Sequence, residues 1–347
     1  MGEMQAVMKL KPAVGMELTT TKEPEVKPGY LKVKVKATAI CGTDKHIYNW
    51  HAPWDTRIKP PRIIGHELCG EVVEIGNNVD GYEVGDMISA ETHVADWTCP
   101  QCLRGNAHIC SNMHLFGVDV DGVFADYALV PFRNAWKNDS SIPPEMQAIQ
   151  EPLGNSVYTT YSADMPGKRV SIFGCGPTGL FSIALAKAAG ASQVIAVAGS
   201  KTHLDLAKKM GATHIINRHE QDPIKEIIDI TGEGADVMLE MSGSGAALDQ
   251  GLKSLRQGGE VSILGLYSKP PELDWSKDIV LKNVTLHGIN GRLMFKTWET
   301  VSWLLREKVI DVSPVITHKF KLSEFDKAME VALSGECGKV IMFPGEK

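Results

Sequence analysis

A short apolar run at residues 169–173 ends in Gly174-Cys175-Gly176-Pro177-Thr178-Gly179 and passes directly into an apolar stretch at 178–189. This order of strand, glycine turn and helix constrains the fold more than any other feature of the chain. The pattern then repeats, with strands expected at 193–198, 214–216, 236–240, 260–264 and 284–288, a helix at 201–210, and helical stretches between most of the others. Strands that alternate with helices need crossovers over both faces of a parallel sheet. The expected class is α/β, with a doubly wound parallel sheet over residues 150–288.

The flanking sequence has a different texture. Residues 1–149 read as short strands broken by many turns: 31–37 alternates Val33, Val35 and Ala37 with lysines, and 69–75 is a β-rich run stopped by Gly76-Asn77-Asn78. After Gly288 the alternation stops, leaving helix-like runs at 295–307 and 322–333 and a strand-like 339–343. The tail 289–347 is expected to return to the mainly β first domain, which makes that domain discontinuous. At roughly 150 residues per domain, 347 residues allow two.

Composition narrows the function classes. With 36 basic and 42 acidic residues the net charge is -6, which attracts neither nucleic acid nor an anionic membrane over long range. No apolar run approaches the roughly 18 to 20 residues of a spanning helix. The first residues lack a cationic stretch followed by an apolar core, so a cytoplasmic location is the expectation. The seven cysteines are an odd number. Cys99, Cys102 and Cys110 crowd together while Cys41, Cys69, Cys175 and Cys337 stand apart, a pattern of thiolate chemistry or metal and not of a disulfide framework.

The glycine turn has the context of a dinucleotide fingerprint. Gly174 permits the tight turn, Gly176 lets the backbone approach a pyrophosphate, Gly179 allows close helix packing, and the helix start, with Thr178, offers free N–H groups to anions. A sheet that binds NAD usually ends its second strand with a carboxylate for the ribose 2′-hydroxyl. Here Ala198 stands in that place, followed by Gly199, Ser200, Lys201, Thr202 and His203. A carboxylate about 4 Å from a 2′-phosphate would cost about 4 kcal/mol per charge pair at an effective dielectric near 20. Its absence favours NADP over NAD. The alternative is a permissive site that takes NAD without a ribose anchor.

Two sets of metal donors follow. Cys99-x2-Cys102-x7-Cys110 has the spacing of a closed structural zinc lobe, which needs a fourth ligand. Asp96 lies at the same x2 spacing upstream, and His93 and His108 are other donors. The alternative is a lobe of three reduced thiols without metal. The second set is scattered: Cys41-Gly42-Thr43-Asp44-Lys45-His46, Gly65-His66-Glu67 and Gln150-Glu151-Pro152.

Together these pieces resemble the zinc-dependent medium-chain dehydrogenases, over nearly the whole chain. The resemblance implies a Rossmann domain at 150–288 inserted in a GroES-like catalytic domain at 1–149 and 289–347, and oxidation of a secondary alcohol by NADP(+) or NAD(+). It implies a catalytic zinc on Cys41, His66 and an acidic residue, Glu67 or Glu151, and a second, structural zinc on Asp96, Cys99, Cys102 and Cys110. Thr43 and His46 would relay the alcohol proton. Leu264, Leu266, Ile289, Asn290 and Arg292 would join Gly174, Gly176, Thr178, Gly179, Gly199, Ser200, Lys201 and His203 around the cofactor. The partner is then a small-molecule alcohol, and the assembly a homotetramer, for which the strand at 260–264 would supply a free sheet edge for pairing subunits. The runs at 39–50, 150–155, 288–298 and 313–318 narrow the likeness to the branch that oxidises a 2-amino-3-hydroxy acid; alcohol and polyol branches are the alternative. Two departures stand out, because that branch carries four lobe cysteines and an acidic residue where this chain has Ala198, and it uses NAD.

Overall fold

The computed structural model describes residues 2–345 and divides the chain into two compact units. The first comprises the residues up to Glu151, Met294–Arg306, and the residues from Ile316 onward; the second comprises Pro152–Leu293 and Glu307–Val315.

The second unit carries a six-stranded sheet, parallel throughout. Its spatial order is His214–Asn217, Gln193–Ala198, Arg169–Phe173, Ala235–Glu240, Leu255–Ile263, Thr285–Gly288. In chain order that is 3-2-1-4-5-6, the doubly wound arrangement whose topological switch lies beside the first strand. The inner strands are buried on both faces, which explains why 194–198 and 237–239 are apolar without alternation. Helices Pro177–Ala188, Lys201–Met210, Pro223–Thr231 and Gly245–Ser254 form the crossovers, and Ser200, Asp222 and Ser244 cap the last three by accepting a first-turn backbone N–H. Asp236, at the start of its strand, bonds both Arg169 and Arg256 and ties neighbouring strands together.

The first unit is mainly β. Strand Tyr30–Ala39 pairs antiparallel with Glu67–Ile75, with Tyr127–Pro131, and with the late strand Lys339–Phe343. Leu31, Val33, Val35 and Ala37 all turn inward, as their alternation with lysines requires. Strand Ile316–Lys321 lies parallel to Lys339–Phe343, and helix Phe325–Ser334 connects them. A core of Val7, Ile47, Ile64, Phe124, Phe325, Met329, Val340 and Met342 joins both ends of the chain.

Two details differ from the sequence reading. The tail is divided, because the turn Ser313–Val315 buries Val315 and packs on helices Pro177–Ala188 and Lys201–Met210 of the second unit. Residues 260–264, read as a free sheet edge, are covered by Thr285–Gly288, which is the edge itself.

Candidate active site

Strand Tyr30–Ala39 delivers Cys41 to the N-cap of the short helix Gly42–Tyr48. The Asp44 carboxylate, fully buried, accepts the Cys41 N–H through Oδ2 at 2.8 Å and leaves Oδ1 3.6 Å from His66 Nδ1. His66 follows Gly65, whose φ of +90° is open to glycine and strained for other residues. A β-carbon there would stand 2.1 Å from the Phe124 ring, so the core fixes the turn that presents the imidazole. Glu67 opens the next strand and is fully buried.

One donor atom each from Cys41, His66 and Glu67 lies within 4.8 Å of the other two. Glu67 Oε1 accepts from the Lys339 ammonium, which also donates to Ile40 O at 3.1 Å, while Glu67 Oε2 is buried with no hydrogen-bond partner. Burial pushes the Glu67 carboxyl up to about 7 against the pull of Lys339. Burial opposes charge on Lys339 too, but Glu67 and then Cys41 outweigh it and hold the ammonium protonated. Around His66 burial is likewise outweighed, here by Asp44 and Cys41, which raise the imidazole well above its usual range. A thiol, an imidazole and an orphaned carboxylate oxygen, backed by further acidic groups, form a donor set suited to a divalent cation such as zinc.

Glu151 lies outside that trio. It is 5% exposed, accepts from Thr92 Oγ1 at 2.6 Å, and is close enough to Glu67 to raise its pKa. Thr43 and His46 share the helix after Cys41 at i and i+3, hence one face. His46 is exposed, and partial burial, then His51 and Lys45, lower its pKa.

The lobe gathers as its spacing requires: Asp96, Cys99, Cys102 and Cys110 each bring a donor atom within 4.8 Å of the others. Asp96 Oδ1 accepts the N–H of Thr98 and Cys99 at 2.8 and 2.9 Å, and amides of Asp96, Ser111 and Asn112 point at cysteine sulfurs at 3.4 Å. The backbone amides of Cys102 and Ser111 lower the Cys99 thiol to about 6. His93 and His108 are outside the group; the His93 ring instead meets the backbone carbonyl of His108 at 3.2 Å.

In the second unit the glycine turn is built for a close ligand. Gly174 has φ +95°, a β-carbon on Gly179 would fall 1.9 Å from Gly174 O, and above Gly176 there is nothing within 4 Å. Gly176 caps helix Pro177–Ala188 without a side chain, which leaves the first-turn amides at Thr178 and Gly179 pointing outward. This open cradle fits a pyrophosphate. Ala198 ends its strand 6% exposed, and Ser200 Oγ accepts the His203 N–H. Lys201 is turned outward onto Asp205 at 2.8 Å. Leu264 and Leu266 follow strand Leu255–Ile263, and Leu266 is 84% exposed. Ile289 hydrogen-bonds back to Ile263, Asn290 is exposed, and Arg292 is buried with its guanidinium on Asn155 at 2.9 Å.

Sequence reasoning missed Asp44, Thr92 and Lys339. Asp44 lay inside the Cys-Gly-Thr-Asp run. Lys339 had a readable signal, since a lysine opening an apolar strand is seldom fully buried without a partner.

The comparisons with known proteins agree with this construction. A family model described as alcohol dehydrogenase GroES-like domain matches residues 27–143, and one described as zinc-binding dehydrogenase matches 177–307. The chain is 50% identical over 341 residues to L-threonine 3-dehydrogenase of Pyrococcus abyssi, covering 98% of each chain. It is 46% identical over 344 residues to the Bacillus subtilis protein of that name, covering 99% of each. Among solved structures, a putative zinc-binding dehydrogenase from Sinorhizobium meliloti bound to NADP superposes with a TM-score of 0.92 at 29% identity, covering 99% of this chain and 100% of that one. The 2R,3R-butanediol dehydrogenase of Bacillus subtilis gives 0.90 at 29% identity with the same coverage. With both domain types matched by family models and relatives about half identical over nearly its full length, the chain belongs to the zinc-dependent medium-chain dehydrogenases.

Proposed function

We propose that the protein oxidises the 3-hydroxyl of L-threonine to 2-amino-3-oxobutanoate and reduces NADP(+). The chemistry rests on one observation above the others: Cys41, His66 and Glu67 converge in a buried site with Glu67 Oε2 unpartnered. The threonine assignment rests on the relatives of that name that match the chain end to end. The cofactor preference rests on Ala198, which removes the carboxylate that would repel a 2′-phosphate.

Cys41, His66 and Glu67 would hold the zinc, with Glu151 as a second carboxylate in reserve. A zinc ion in such a site lowers the pKa of an alcohol hydroxyl. Asp44 faces the imidazole of His66 as a buried negative charge, and Lys339 holds Glu67 by one oxygen. The nicotinamide would supply the acceptor for the hydride, and Thr43 would pass the hydroxyl proton toward His46. The lowered pKa of His46 keeps its ring neutral, and so able to accept, somewhat below pH 6.5. The acid limb of the kcat/KM profile is therefore expected below pH 6.5, and His46→Gln should slow turnover roughly 10-fold to 100-fold and remove that limb. An unchanged profile in the variant would exclude His46 from the relay.

Asp96 completes the lobe as the oxygen ligand of a structural zinc. Metal analysis is expected to find two zinc per chain in the native protein and one in Asp96→Ala. Native protein with a single zinc would assign the lobe three thiols and no metal.

We also propose a homotetramer in the cytoplasm. The edge strand Thr285–Gly288 leaves its outer side unpaired among the described residues, and Trp275, Val280, Leu281 and Leu286 are exposed on that stretch of chain. Sedimentation of Leu281→Lys against the native protein tests whether this edge joins subunits. No helix among the described residues is long and apolar enough to cross a membrane.

The assay that tests the main reading presents threonine, simple alcohols and polyols with each cofactor. Activity confined to simple alcohols or polyols would transfer the assignment to those branches of the family.

A further inference from the structure

The second strand of the parallel sheet ends at Ala198, and the third, its neighbour, at Asn217; the two residues are in register. Beyond that point the third strand turns sharply. The amides of Glu220 and Gln221 bond to Asn217 O at 3.0 and 2.9 Å, Asn217 Oδ1 accepts the His219 N–H at 3.1 Å, and the Arg218 N–H reaches across to Ala198 O at 3.0 Å. This network fixes the backbone of the turn against the end of the second strand.

The side chains of the turn then lie over Gly199. A β-carbon built on Gly199 would stand 2.5 Å from Nε2 of His219 and 2.8 Å from Nε of Arg218. Both side chains are exposed, and neither forms an ion pair among the described residues. Lys201, two residues after Gly199, is already engaged by Asp205. Thus a guanidinium and an imidazole sit over the residue after Ala198, which holds the place of the carboxylate in a sheet that binds NAD, and glycine at 199 is what leaves them room.

We propose that Arg218 and His219 are the residues that select the 2′-phosphate of NADP. This rests on the NADP reading above. Arg218 offers a planar fork that suits two phosphate oxygens, and His219 Nε2 offers a third donor. Toward NAD the same pair has only a neutral ribose hydroxyl to meet, so the discrimination comes from the phosphate charge. Of the two, Arg218 carries the larger share, because its charge is permanent.

The test is calorimetric binding of NADP(+), NAD(+) and adenosine 2′,5′-bisphosphate to the native protein and to Arg218→Ala, Arg218→Lys and His219→Ala. Charge-assisted hydrogen bonds of this kind predict that Arg218→Ala weakens NADP(+) and the bisphosphate by about 30-fold and NAD(+) by less than about twofold. His219→Ala should weaken the two phosphorylated ligands about fivefold, and Arg218→Lys should recover part of the Arg218→Ala loss. Retained NAD(+) binding doubles as the control for folding. If the native protein prefers NADP(+) and neither alanine variant changes the ratio, the assignment to this turn is wrong while the cofactor reading stands. If the native protein prefers NAD(+), the cofactor reading fails and takes this inference with it.

Discussion

Cys41→Ser is expected to leave a folded protein that has lost turnover by about a thousandfold or more, since a catalytic cation supplies several kcal/mol to such a reaction and each 1.4 kcal/mol is tenfold. Serine has nearly the shape of cysteine, and the helix that Cys41 caps keeps its Asp44 bond to the backbone N–H. What serine lacks is the soft, ionisable sulfur that pairs with the His66 imidazole and the Glu67 carboxylate. Metal analysis should fall by one zinc per chain while the lobe keeps its own. That split separates loss of the catalytic donor from general unfolding, in which both metals would go. Full turnover with undiminished zinc would remove Cys41 from the site.

The second large effect concerns stability. Lys339 and Glu67 form an ion pair with both side chains almost wholly out of solvent, 3% and 0% exposed. Removing one partner of such a pair strands a buried charge, typically at a cost of about 3 to 5 kcal/mol. Lys339→Met should therefore lower the urea midpoint of chelated protein substantially. Glu151 sharpens the effect, because it adds negative charge near the stranded carboxylate. Glu67→Gln added to Lys339→Met should restore most of the loss, since the amide carries no charge to strand. A double variant as unstable as the single one would assign the loss to packing of the lysine stem instead.

The second unit was legible because its order is local. Each strand at 169–173, 193–198 and 214–217 is followed by its own crossover, and the edges of the helix at 201–210 are marked by Ser200 and by Gly211 in the left-handed conformation. The first unit gave up its strands 31–37 and 69–75 but not their partners. Met342 pairs with Thr38, and Lys339 meets Glu67, across most of the length of the chain, and no local pattern announces which distant strand will lie alongside. The same limit hid Arg218 and His219, which come to Gly199 from the next strand over. Asp96 was legible because its spacing to Cys99 repeats that of Cys99 to Cys102, a local signal. The free edge was misplaced to 260–264 because an apolar strand inside a sheet and one at its rim have the same composition; only pairing tells them apart.

The turn at 217–221 also bears on how readily such an enzyme changes its place in metabolism. A cell's two nicotinamide pools serve oxidation and reduction separately, so the pool an enzyme draws on decides which way its reaction is driven. Here the proposed switch is a pair of surface residues beside one glycine, on a unit that contributes none of the zinc donors. Substitutions at these two positions would weaken the enzyme's hold on one pool with no residue of the buried donor set disturbed.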